Sequence, residues 1–362
     1  MRYITIHAQP PTPPVGGGKE KAMEKEDIRV KKAIIHILDT FTGRPVLSSS
    51  ELEFGSEFAG FLKSHISKVM QEDTRKECYF NREESEVYRW LEEYRDEHFV
   101  EWSRRLADFL YCIMQSSIDI PKADLAVVRF HHKEEEYIAL LKLNYKKTYI
   151  HRTIPDEEEG FRNEIIEHKS VLPTNSQKLQ EAAVIRLEDK AVWLVEKKYE
   201  VNGEKVNYFS RRFLKCYTRM TTCQKMAAVE RVLESAIEES TDYLKQYAET
   251  MRVRCALNEA VTEEGGFAIE ELADRLFDDR GGLKAFIHDK LVKYDLIRRD
   301  VKPKEDKTLR RYQRQELKTD TGIEIKIPME QYKDQDSVQF ITNPDGTTTV
   351  LIKNINYLKA KL

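Results

Sequence analysis

The sequence lacks the features of a secreted or membrane-spanning protein. No apolar run approaches the roughly 18 residues that a membrane span needs, and the N-terminus has no charged-then-apolar signal pattern. The five cysteines are odd in number, widely spaced and without a CxxC pair, which argues against a disulfide framework and a zinc site. We therefore predict a cytoplasmic protein with reduced thiols and no bound metal or cofactor.

Recognisable catalytic and nucleic-acid-binding signatures are also missing. The stretch Gly16–Lys19 lacks the spacing between glycines, the Ser or Thr after Lys and the preceding strand of a phosphate-binding loop. No Ser/His/Asp or Cys/His set is evident, and no helix-turn-helix, zinc-finger or RNA-recognition signature occurs. We assign no catalytic residue from the sequence.

The composition is that of a folded, highly charged protein with more than one core. Hydrophobic residues make up 40% and charged residues 34% of 362 residues, and single cores rarely grow past about 250 to 300 residues. We predict an α+β fold with a central antiparallel or mixed sheet. The predicted divisions are a flexible, Pro- and Gly-rich extension (1–27), an N-terminal α+β domain (28–218), a helical region (219–296) and a basic C-terminal β-hairpin module (297–362).

Hydrophobic periodicity predicts the elements inside these divisions. Helical spacing covers residues 57–70, 83–116, 221–256, 269–277 and 283–294. Short runs rich in Val, Ile, Tyr and Phe predict strands at 34–38, 125–130, 136–143, 148–153, 182–187, 192–199 and 208–214. Two hairpins follow, one turning at 319–322 and one at 343–346. His36 and His65 lie on apolar faces, so we expect both to be hydrogen-bonded within the core.

Basic residues concentrate between Arg298 and Lys318. This stretch has nine basic and four acidic side chains, a net charge of +5 in a chain whose total is −3. Such a concentration of cations suits a polyanion such as nucleic acid. The basic residues are Arg298, Arg299, Lys302, Lys304, Lys307, Arg310, Arg311, Arg314 and Lys318.

Two local structures are compatible with the last five of these cations. Their spacing would place Lys307, Arg310, Arg311, Arg314 and Lys318 on one face of a helix. As a strand leading into the first hairpin, the segment would instead present Arg310, Tyr312, Arg314, Glu316 and Lys318 on one face. We favour the hairpin, whose exposed cations would either contact phosphates or protect an edge strand from pairing.

Two more groups of cations lie within the N-terminal domain. Lys197 and Lys198 would join Arg211, Arg212, Lys215 and Arg219 if the strands that carry them are close. That patch is either a second phosphate-binding surface or the polar face of a sheet. Lys142, Lys146, Lys147, His151 and Arg152 are interleaved with Tyr145 and Tyr149, which favours cross-strand packing over base stacking.

Two alternatives to a DNA-binding protein remain open on the sequence. Asp189, the following strand and Glu196-Lys197-Lys198 have the arrangement in which carboxylates hold a divalent cation and Lys198 helps activate water, as in a metal-dependent nuclease. A non-enzymatic scaffold that binds proteins through its acidic N-terminal part is the other. Residues 1–282 have a net charge of −8, against +5 for the remainder.

Four stretches resemble the bacterial nucleoid-associated proteins of the NdpA or YejK type. They are Ala33–Asp39 (AIIHILD), Phe61–Ile66 (FLKSHI), Tyr208–Cys216 (YFSRRFLKC) and Leu317–Ile325 (LKTDTGIEI). The resemblance implies a protein of the bacterial cytoplasm that is associated with the nucleoid and binds DNA, with no established enzymatic activity. No DNA-contacting position can be carried over by motif, so the candidate residues rest on charge and spacing.

We therefore predict a nucleoid-associated protein that binds double-stranded DNA largely without sequence specificity. Lysine and arginine side chains would neutralise backbone phosphates. No membrane partner is expected, and a homodimer is left open. The candidate DNA-binding residues are Arg211, Arg212, Lys215, Arg298, Arg299, Lys307, Arg310, Arg311, Arg314 and Lys318.

Overall fold

The computed structural model describes residues 23–156, 160–201, 203–240, 243–277, 281–294, 296, 300–357 and 359. The chain forms two compact units, residues 1–219 and 220–362. Most of the predicted flexible extension, residues 1–22, lies outside the described residues.

The N-terminal unit is built from eleven strands, three α-helices and shorter helical turns in the described residues. The strands are β1 (Ile28–Leu38), β2 (Lys76–Phe80), β3 (Ala123–His132), β4 (Glu135–Asn144), β5 (Lys146–Asp156), β6 (Gly160–Val171), β7 (Glu181–Arg186), β8 (Val192–Val195), β9 (Tyr199–Val201), β10 (Glu204–Val206) and β11 (Cys216–Thr218). The helices are α1 (Ser56–Gln71), α2 (Glu86–Glu92) and α3 (Phe99–Met114), with a π-helix at Phe209–Leu214 and 3₁₀ turns at Lys25–Asp27 and Asp96–His98.

A seven-stranded antiparallel sheet forms the centre of this unit, in the order β1-β3-β4-β7-β8-β2-β11. Successive strand residues point to opposite faces, and both faces are covered. On β3, Val128 lies in the same core as Ile66 of α1, whereas Val127 packs with Leu106 of α3 in the core on the other face. The predicted α+β class with a central antiparallel sheet is confirmed.

The helices begin and end where local chemistry dictates. Leu62, Ile66 and Val69 follow one another at helical spacing on α1 and are fully buried. The side chain of Ser85 caps α2 by accepting a hydrogen bond from the backbone of Tyr88 at 3.1 Å. The predicted helix over 83–116 is therefore two α-helices with a break between them, and that part of the prediction is wrong.

The predicted strand over 208–214 is also wrong, because these residues form the π-helix. Phe209 and Phe213 are four residues apart and both are buried. The aromatic residues that indicated a strand therefore lie on one buried face of the π-helix. The π-helix ends at Lys215, whose backbone is in the left-handed region with φ +47°. Such a conformation is uncommon for a residue with a side chain.

The two central histidines differ in their hydrogen bonding. The His36 Nδ1 accepts a hydrogen bond from the backbone of Ser48 at 3.1 Å, and its Nε2 lies 3.0 Å from the hydroxyl of Ser103. His65 is equally buried but neither ring nitrogen has a partner among the described residues, so the expected hydrogen bond is absent there. Burial lowers the pKa of both rings to about 4.

Strands β5 and β6 form a separate two-stranded sheet, which we call the ribbon. It is inserted between β4 and β7, which pair directly with each other in the main sheet. The sequence predicts β5 but not β6. The side chains of β6 are exposed or half-buried throughout, so β6 has no buried face to produce a recognisable alternation.

The described residues of the C-terminal unit form six helices and six short strands. The helices are α4 (Thr222–Ser240), α5 (Tyr243–Thr262), α6 (Ile269–Phe277), α7 (Gly281–Lys293), α8 (Asp306–Tyr312) and α9 (Met329–Lys333). The strands are β12 (Phe267–Ala268), β13 (Asp300–Val301), β14 (Arg314–Lys318), β15 (Glu324–Pro328), β16 (Val338–Thr342) and β17 (Thr348–Ile352).

The helices of this unit share one apolar core. Val232 of α4, Leu257 of α5, Leu272 of α6 and Ile287 of α7 are buried together, and Tyr312 closes the same core from the end of α8. A smaller core joins the hairpins to α9. The two helices α4 and α5 replace the single helix that the sequence predicts over 221–256.

Both predicted C-terminal hairpins are confirmed. Strand β14 pairs with β15, and β16 pairs with β17. Gly322 has φ +87° and its N–H donates to the carbonyl of Thr319 at 3.0 Å, which closes the first turn. A residue with a side chain would be strained in this left-handed conformation.

Candidate nucleic-acid interface

The candidate cations near the C-terminus are divided between a helix and a strand. Arg310 and Arg311 lie in the last turn of α8, and Arg314 and Lys318 are the two ends of β14. Lys307 is in the first turn of α8. The remaining two candidates, Arg298 and Arg299, lie outside the described residues.

Tyr312 anchors the junction between α8 and β14. Its side chain is 1% exposed and its hydroxyl donates to Glu230 Oε1 of α4 at 2.6 Å. The side chain of Asn258 on α5 donates to the carbonyl of Tyr312 at 2.7 Å. Burial, followed by the hydrogen bond to Glu230, raises the pKa of Tyr312. The backbone that carries the neighbouring arginines is therefore fixed to two long helices.

Glu230 also binds two arginines. Arg311 donates to Glu230 Oε2 at 2.9 Å, and Arg254 of α5 donates to Oε1 at 3.3 Å. Arg311 remains 61% exposed despite this bond. Because a guanidinium has five N–H donors, Arg311 can be held by Glu230 and still present donors to solvent.

Arg310 and Arg314 are exposed on either side of the anchored tyrosine. Within the described part of the chain, neither has an ion pair or a hydrogen bond from its side chain. Together with Arg311 they place three guanidinium groups within five residues of sequence. We call Arg310, Arg311 and Arg314 the C-terminal arginine patch.

The face of the first hairpin differs from the prediction. Arg310 and Tyr312 belong to α8 and not to β14, and Tyr312 is buried, so the predicted face of three cations and a tyrosine is wrong. On the observed face Lys318 pairs with Glu324 at 3.5 Å and Lys326 pairs with Glu316 at 3.0 Å. These paired charges suit an exposed strand protected from edge-to-edge pairing.

In the N-terminal unit, a buried carboxylate positions the π-helix. Glu196 follows the end of β8 and its side chain is fully buried. It accepts hydrogen bonds from the Ser210 hydroxyl at 2.7 Å and from the Ser210 backbone at 2.9 Å. Lys76 of β2 donates to the same carboxylate at 2.6 Å. This network holds the π-helix against the end of β8.

The bond between Glu196 and Ser210 brings two pairs of cations into one neighbourhood. Lys197 and Lys198 follow Glu196, and Arg211 and Arg212 follow Ser210. We call these four residues the N-terminal basic patch. The sequence predicted their proximity through paired strands, but the contact runs through a carboxylate and the π-helix. Lys197, Lys198 and Arg211 are exposed, whereas Arg212 is half-buried.

Lys215 is less available than its neighbours. Its ammonium lies 2.9 Å from the carboxylate of Glu86 and donates to the carbonyl of Glu84 at 3.0 Å. Burial alone would raise the pKa of Glu86, but the hydrogen bonds from Lys215 and the backbone, together with the charges of Lys215 and Arg89, lower it overall. Lys215 therefore fixes the end of the π-helix to α2.

Lys142 does not belong to a surface patch. It is fully buried on β4 opposite Glu181 of β7, with the ammonium 3.2 Å from the carboxylate. A second hydrogen bond to the carbonyl of Pro121 measures 3.0 Å. Burial lowers the pKa of Lys142 even though Glu181 opposes this effect. Of the two interpretations of the cations around Lys142, cross-strand packing and base stacking, packing therefore applies to Lys142 itself.

The residues of the nuclease hypothesis are not brought together. Asp189 and Glu196 lie at opposite ends of β8, whose four residues span about 13 Å. Asp189 is paired with Arg186 at 2.6 Å, and Glu196 is occupied by Lys76 and Ser210. The two carboxylates cannot share one cation in this arrangement.

Sequence comparison supplies the functional class of the chain. Among the described residues, no helix combines the length and apolarity needed to cross a membrane. A search of curated proteins returns no match. The family model described as "nucleoid-associated protein YejK" matches residues 34–359, which include most of the N-terminal unit and nearly all of the C-terminal unit. The chain therefore belongs to the nucleoid-associated protein YejK family.

Proposed function

We propose that the protein binds double-stranded DNA largely without sequence specificity, through phosphate contacts made by its two basic patches. The observation that carries this proposal is the C-terminal arginine patch. Arg310 and Arg314 are exposed without an acidic partner in the described residues, and Tyr312 fixes the backbone between them. A backbone that is already fixed reduces the ordering that phosphate binding by these guanidinium groups requires.

Phosphate contact, and not base reading, suits the chemistry of these side chains. Both patches consist of lysine and arginine on a short helix, a strand end or a loop next to a strand. Contacts to the phosphate backbone carry no sequence information by themselves. Binding of this kind depends strongly on salt, because each neutralised phosphate releases about 0.9 of a counterion.

The distribution of charge limits where DNA can bind. Residues 1–282 have a net charge of −8 and residues 283–362 a net charge of +5. A polyanion is repelled by most of the first segment and attracted by the second. The N-terminal basic patch would then act as a secondary contact, and the nucleoid in the cytoplasm is the compartment in which this ligand occurs.

The direct test is an equilibrium titration of the full chain with duplex DNA, single-stranded DNA and RNA at two salt concentrations. We expect tightest binding to duplex DNA and a steep loss of affinity as salt rises. The double variant Arg310→Glu/Arg314→Glu should reduce the affinity at least tenfold, and the salt slope should fall by about two. Adding Arg311→Glu should remove most of the remaining binding.

The ribbon supplies the matched control for the double variant. Lys147→Glu/Arg162→Glu makes the same change in net charge at exposed positions and should lower the affinity less. Equal losses in both variants would show that only the total charge matters. An unchanged affinity in the arginine variant would overturn the assignment to the C-terminal arginine patch.

The N-terminal basic patch is tested separately by Arg211→Glu/Arg212→Glu. We expect a smaller loss of duplex affinity, since Arg212 is half-buried. If no nucleic acid binds even at low salt, the scaffold alternative replaces the proposed function. Its own experiment is the capture of a protein partner by the N-terminal unit.

A further inference from the structure

Cys78 and Cys216 lie on adjacent strands of the seven-stranded sheet, with their side chains on the same face. Cys78 faces Thr218 and Cys216 faces Phe80, so the two cysteines are two positions apart along the pairing of β2 with β11. Positions two apart share a face of the sheet, and both side chains pack into the same apolar core. The thiol of Cys216 is a hydrogen-bond partner of the Cys78 thiol. The two sulfur atoms are therefore neighbours.

The hydrogen bonding between β2 and β11 places both cysteines where the strands are closest. The backbone N–H of Arg219 donates to the carbonyl of Glu77 at 2.8 Å. Cys78 is one position further along β2, and Cys216 faces the position three further along, so both lie in rows without such bonds. Diagonal neighbours are about 7 to 8 Å apart at Cα, and a disulfide needs about 6.8 Å or less. A strand shift of roughly 1 Å would therefore let the two sulfurs bond.

Strand β11 can make such a shift because it lies at an edge of the sheet. It has three residues and, among the described strands, it pairs with β2 alone. A disulfide that requires a displaced strand holds strain, and strained disulfides are reduced more easily than structural ones. The geometry therefore suits a bond that forms and breaks.

The two thiols differ in their access to solvent. Cys78 is 1% exposed, whereas Cys216 is half-buried. Burial, followed by the hydrogen bond with Cys216, raises the pKa of the Cys78 thiol. Oxidants react with the thiolate of an accessible cysteine, and buried cysteines are inert towards them. Cys216 is therefore the thiol that a dissolved oxidant reaches first, and Cys78 is placed to react with the oxidised Cys216.

We propose that hydrogen peroxide converts Cys78 and Cys216 into a reversible disulfide within one chain. The Cys216 thiol loses its proton to water, and its thiolate attacks one peroxide oxygen. The O–O bond breaks, the released hydroxide recovers the lost proton, and Cys216 becomes a sulfenic acid. The Cys78 sulfur then attacks the Cys216 sulfur, the S–O bond breaks, and the departing hydroxide leaves as water with the Cys78 proton. Two thiols are oxidised, and one peroxide is reduced to two molecules of water.

The disulfide acts on the π-helix that precedes β11. In the reduced chain the Cys216 thiol donates to the carbonyl of Ser210 at 3.8 Å, and oxidation removes this donor. The shift of β11 also moves Lys215, the residue at which the π-helix ends. Amide hydrogen exchange over residues 208–219 should therefore accelerate on oxidation. Unchanged exchange in a fully oxidised sample would overturn this effect on the π-helix.

Peptide mapping of the full chain tests the pair directly. The variant Cys112→Ser, which lacks the exposed thiol of α3, is treated with hydrogen peroxide, alkylated and digested without reductant. We expect one linked peptide that contains Cys78 and Cys216, and the loss of two of the four remaining thiols. Any result without this linked peptide, including a bond between two other cysteines, would overturn the proposal.

Two matched variants in the same background test the order of attack. Cys78→Ala leaves the sulfenic acid of Cys216 without a second thiol, so labelling by dimedone should rise at least tenfold over the parent. Cys216→Ala leaves only the buried Cys78 of the pair and should show no rise. Any other pattern would overturn this order. The tryptophan fluorescence of both reduced variants should match that of the parent, which shows that they are folded, and the mapping of the parent does not depend on them.

Equilibration of the oxidised protein with glutathione tests reversibility. Structural disulfides resist reduction by glutathione, whereas strained ones do not. We expect the disulfide between Cys78 and Cys216 to be fully reduced when reduced glutathione is in about a hundredfold excess over the oxidised form. A linked peptide that persists under these conditions would overturn the reversible character of the bond.

Discussion

The two units differ in where they keep their polar side chains. The N-terminal unit buries titratable groups in the middle of its cores, including His36, His65 and the pair Lys142 and Glu181. In the described C-terminal unit, the buried polar residues other than tyrosine are a threonine and an asparagine. Its carboxylates and guanidinium groups form their ion pairs nearer the surface.

This difference separates the conditions to which each unit responds. A titratable group that is kept neutral by burial makes the free energy of unfolding depend on pH. Surface ion pairs contribute little and respond mainly to salt. We therefore expect acid to act first on the N-terminal unit. The three tryptophans, Trp90, Trp102 and Trp193, all lie in that unit, so their fluorescence reports its unfolding alone.

The largest expected effect is the loss of stability of the N-terminal unit in acid. The pKa of His36 and of His65 is about 4 in the folded chain, below the ordinary 6.5. The unfolded chain therefore binds more protons between these values, and stability present above pH 6.5 is lost as the pH falls towards 4. Each ring accounts for about 3 kcal/mol. Urea unfolding followed by tryptophan fluorescence at several pH values measures this loss.

His65→Leu provides the control for the acid prediction. His65 has no hydrogen-bond partner among the described residues, so an apolar side chain of similar size should be tolerated at neutral pH. The variant should lose about half of the pH dependence between pH 6.5 and 4. An unchanged slope would show that other groups cause the acid sensitivity.

Removing the carboxylate of Glu196 should have the next largest effect. Glu196→Ala leaves the ammonium of Lys76 and the hydroxyl of Ser210 without their buried partner. Breaking such a pair costs about 3 kcal/mol. The tryptophan-monitored urea midpoint should fall accordingly. Ser210→Ala removes only one neutral donor and should cost about 1 kcal/mol; equal losses would contradict the role assigned to the charge.

Removing Glu230 should act on the C-terminal unit and leave the tryptophan signal unchanged. Glu230→Ala leaves the buried hydroxyl of Tyr312 unpaired and frees Arg254 and Arg311. We expect a loss of about 2 kcal/mol in the stability of this unit. Amide hydrogen exchange over residues 306–318 should accelerate while the tryptophan midpoint stays constant. A shift in that midpoint would contradict the separation of the two units.

The smallest effect is expected for the exposed hairpin pair. Glu316→Ala removes the partner of Lys326 on a surface where both side chains are more than half exposed. Such pairs contribute less than about 1 kcal/mol. Hydrogen exchange over β14 and β15 should change little. A loss as large as that in Glu230→Ala would mean that surface charges stabilise this unit more than its buried anchor does.

Local signals explain the elements that could be predicted. Helix α1 differs from its prediction by one residue at each end, because its apolar spacing matches its buried face. The hairpin of β14 and β15 follows from alternation and from Gly322, whose φ is positive. The π-helix was missed because its aromatic content is equally typical of a strand. The hydrogen bond from Ser210 to Glu196 joins residues 14 positions apart, so it produces no periodic pattern in the sequence.

Contacts between residues far apart in sequence limit the prediction of the candidate sites even more than the prediction of the fold. Charge alone identifies Arg310, Arg311 and Arg314 as a basic segment. The sequence does not reveal that Glu230, 81 residues away, binds Arg311, or that Glu86, 129 residues away, binds Lys215. The sequence also does not indicate that Tyr312 is buried while its neighbours are exposed. Which cations remain available is decided by contacts between distant segments.

The position of the ribbon within the main sheet has a consequence for how the family can vary. Because β4 and β7 pair directly, the sheet is complete without β5 and β6. The ribbon is in effect an insertion at a hairpin connection, where extra length costs the fold little. The segment can therefore become longer or shorter, or be lost, while the seven-stranded sheet and its core are retained.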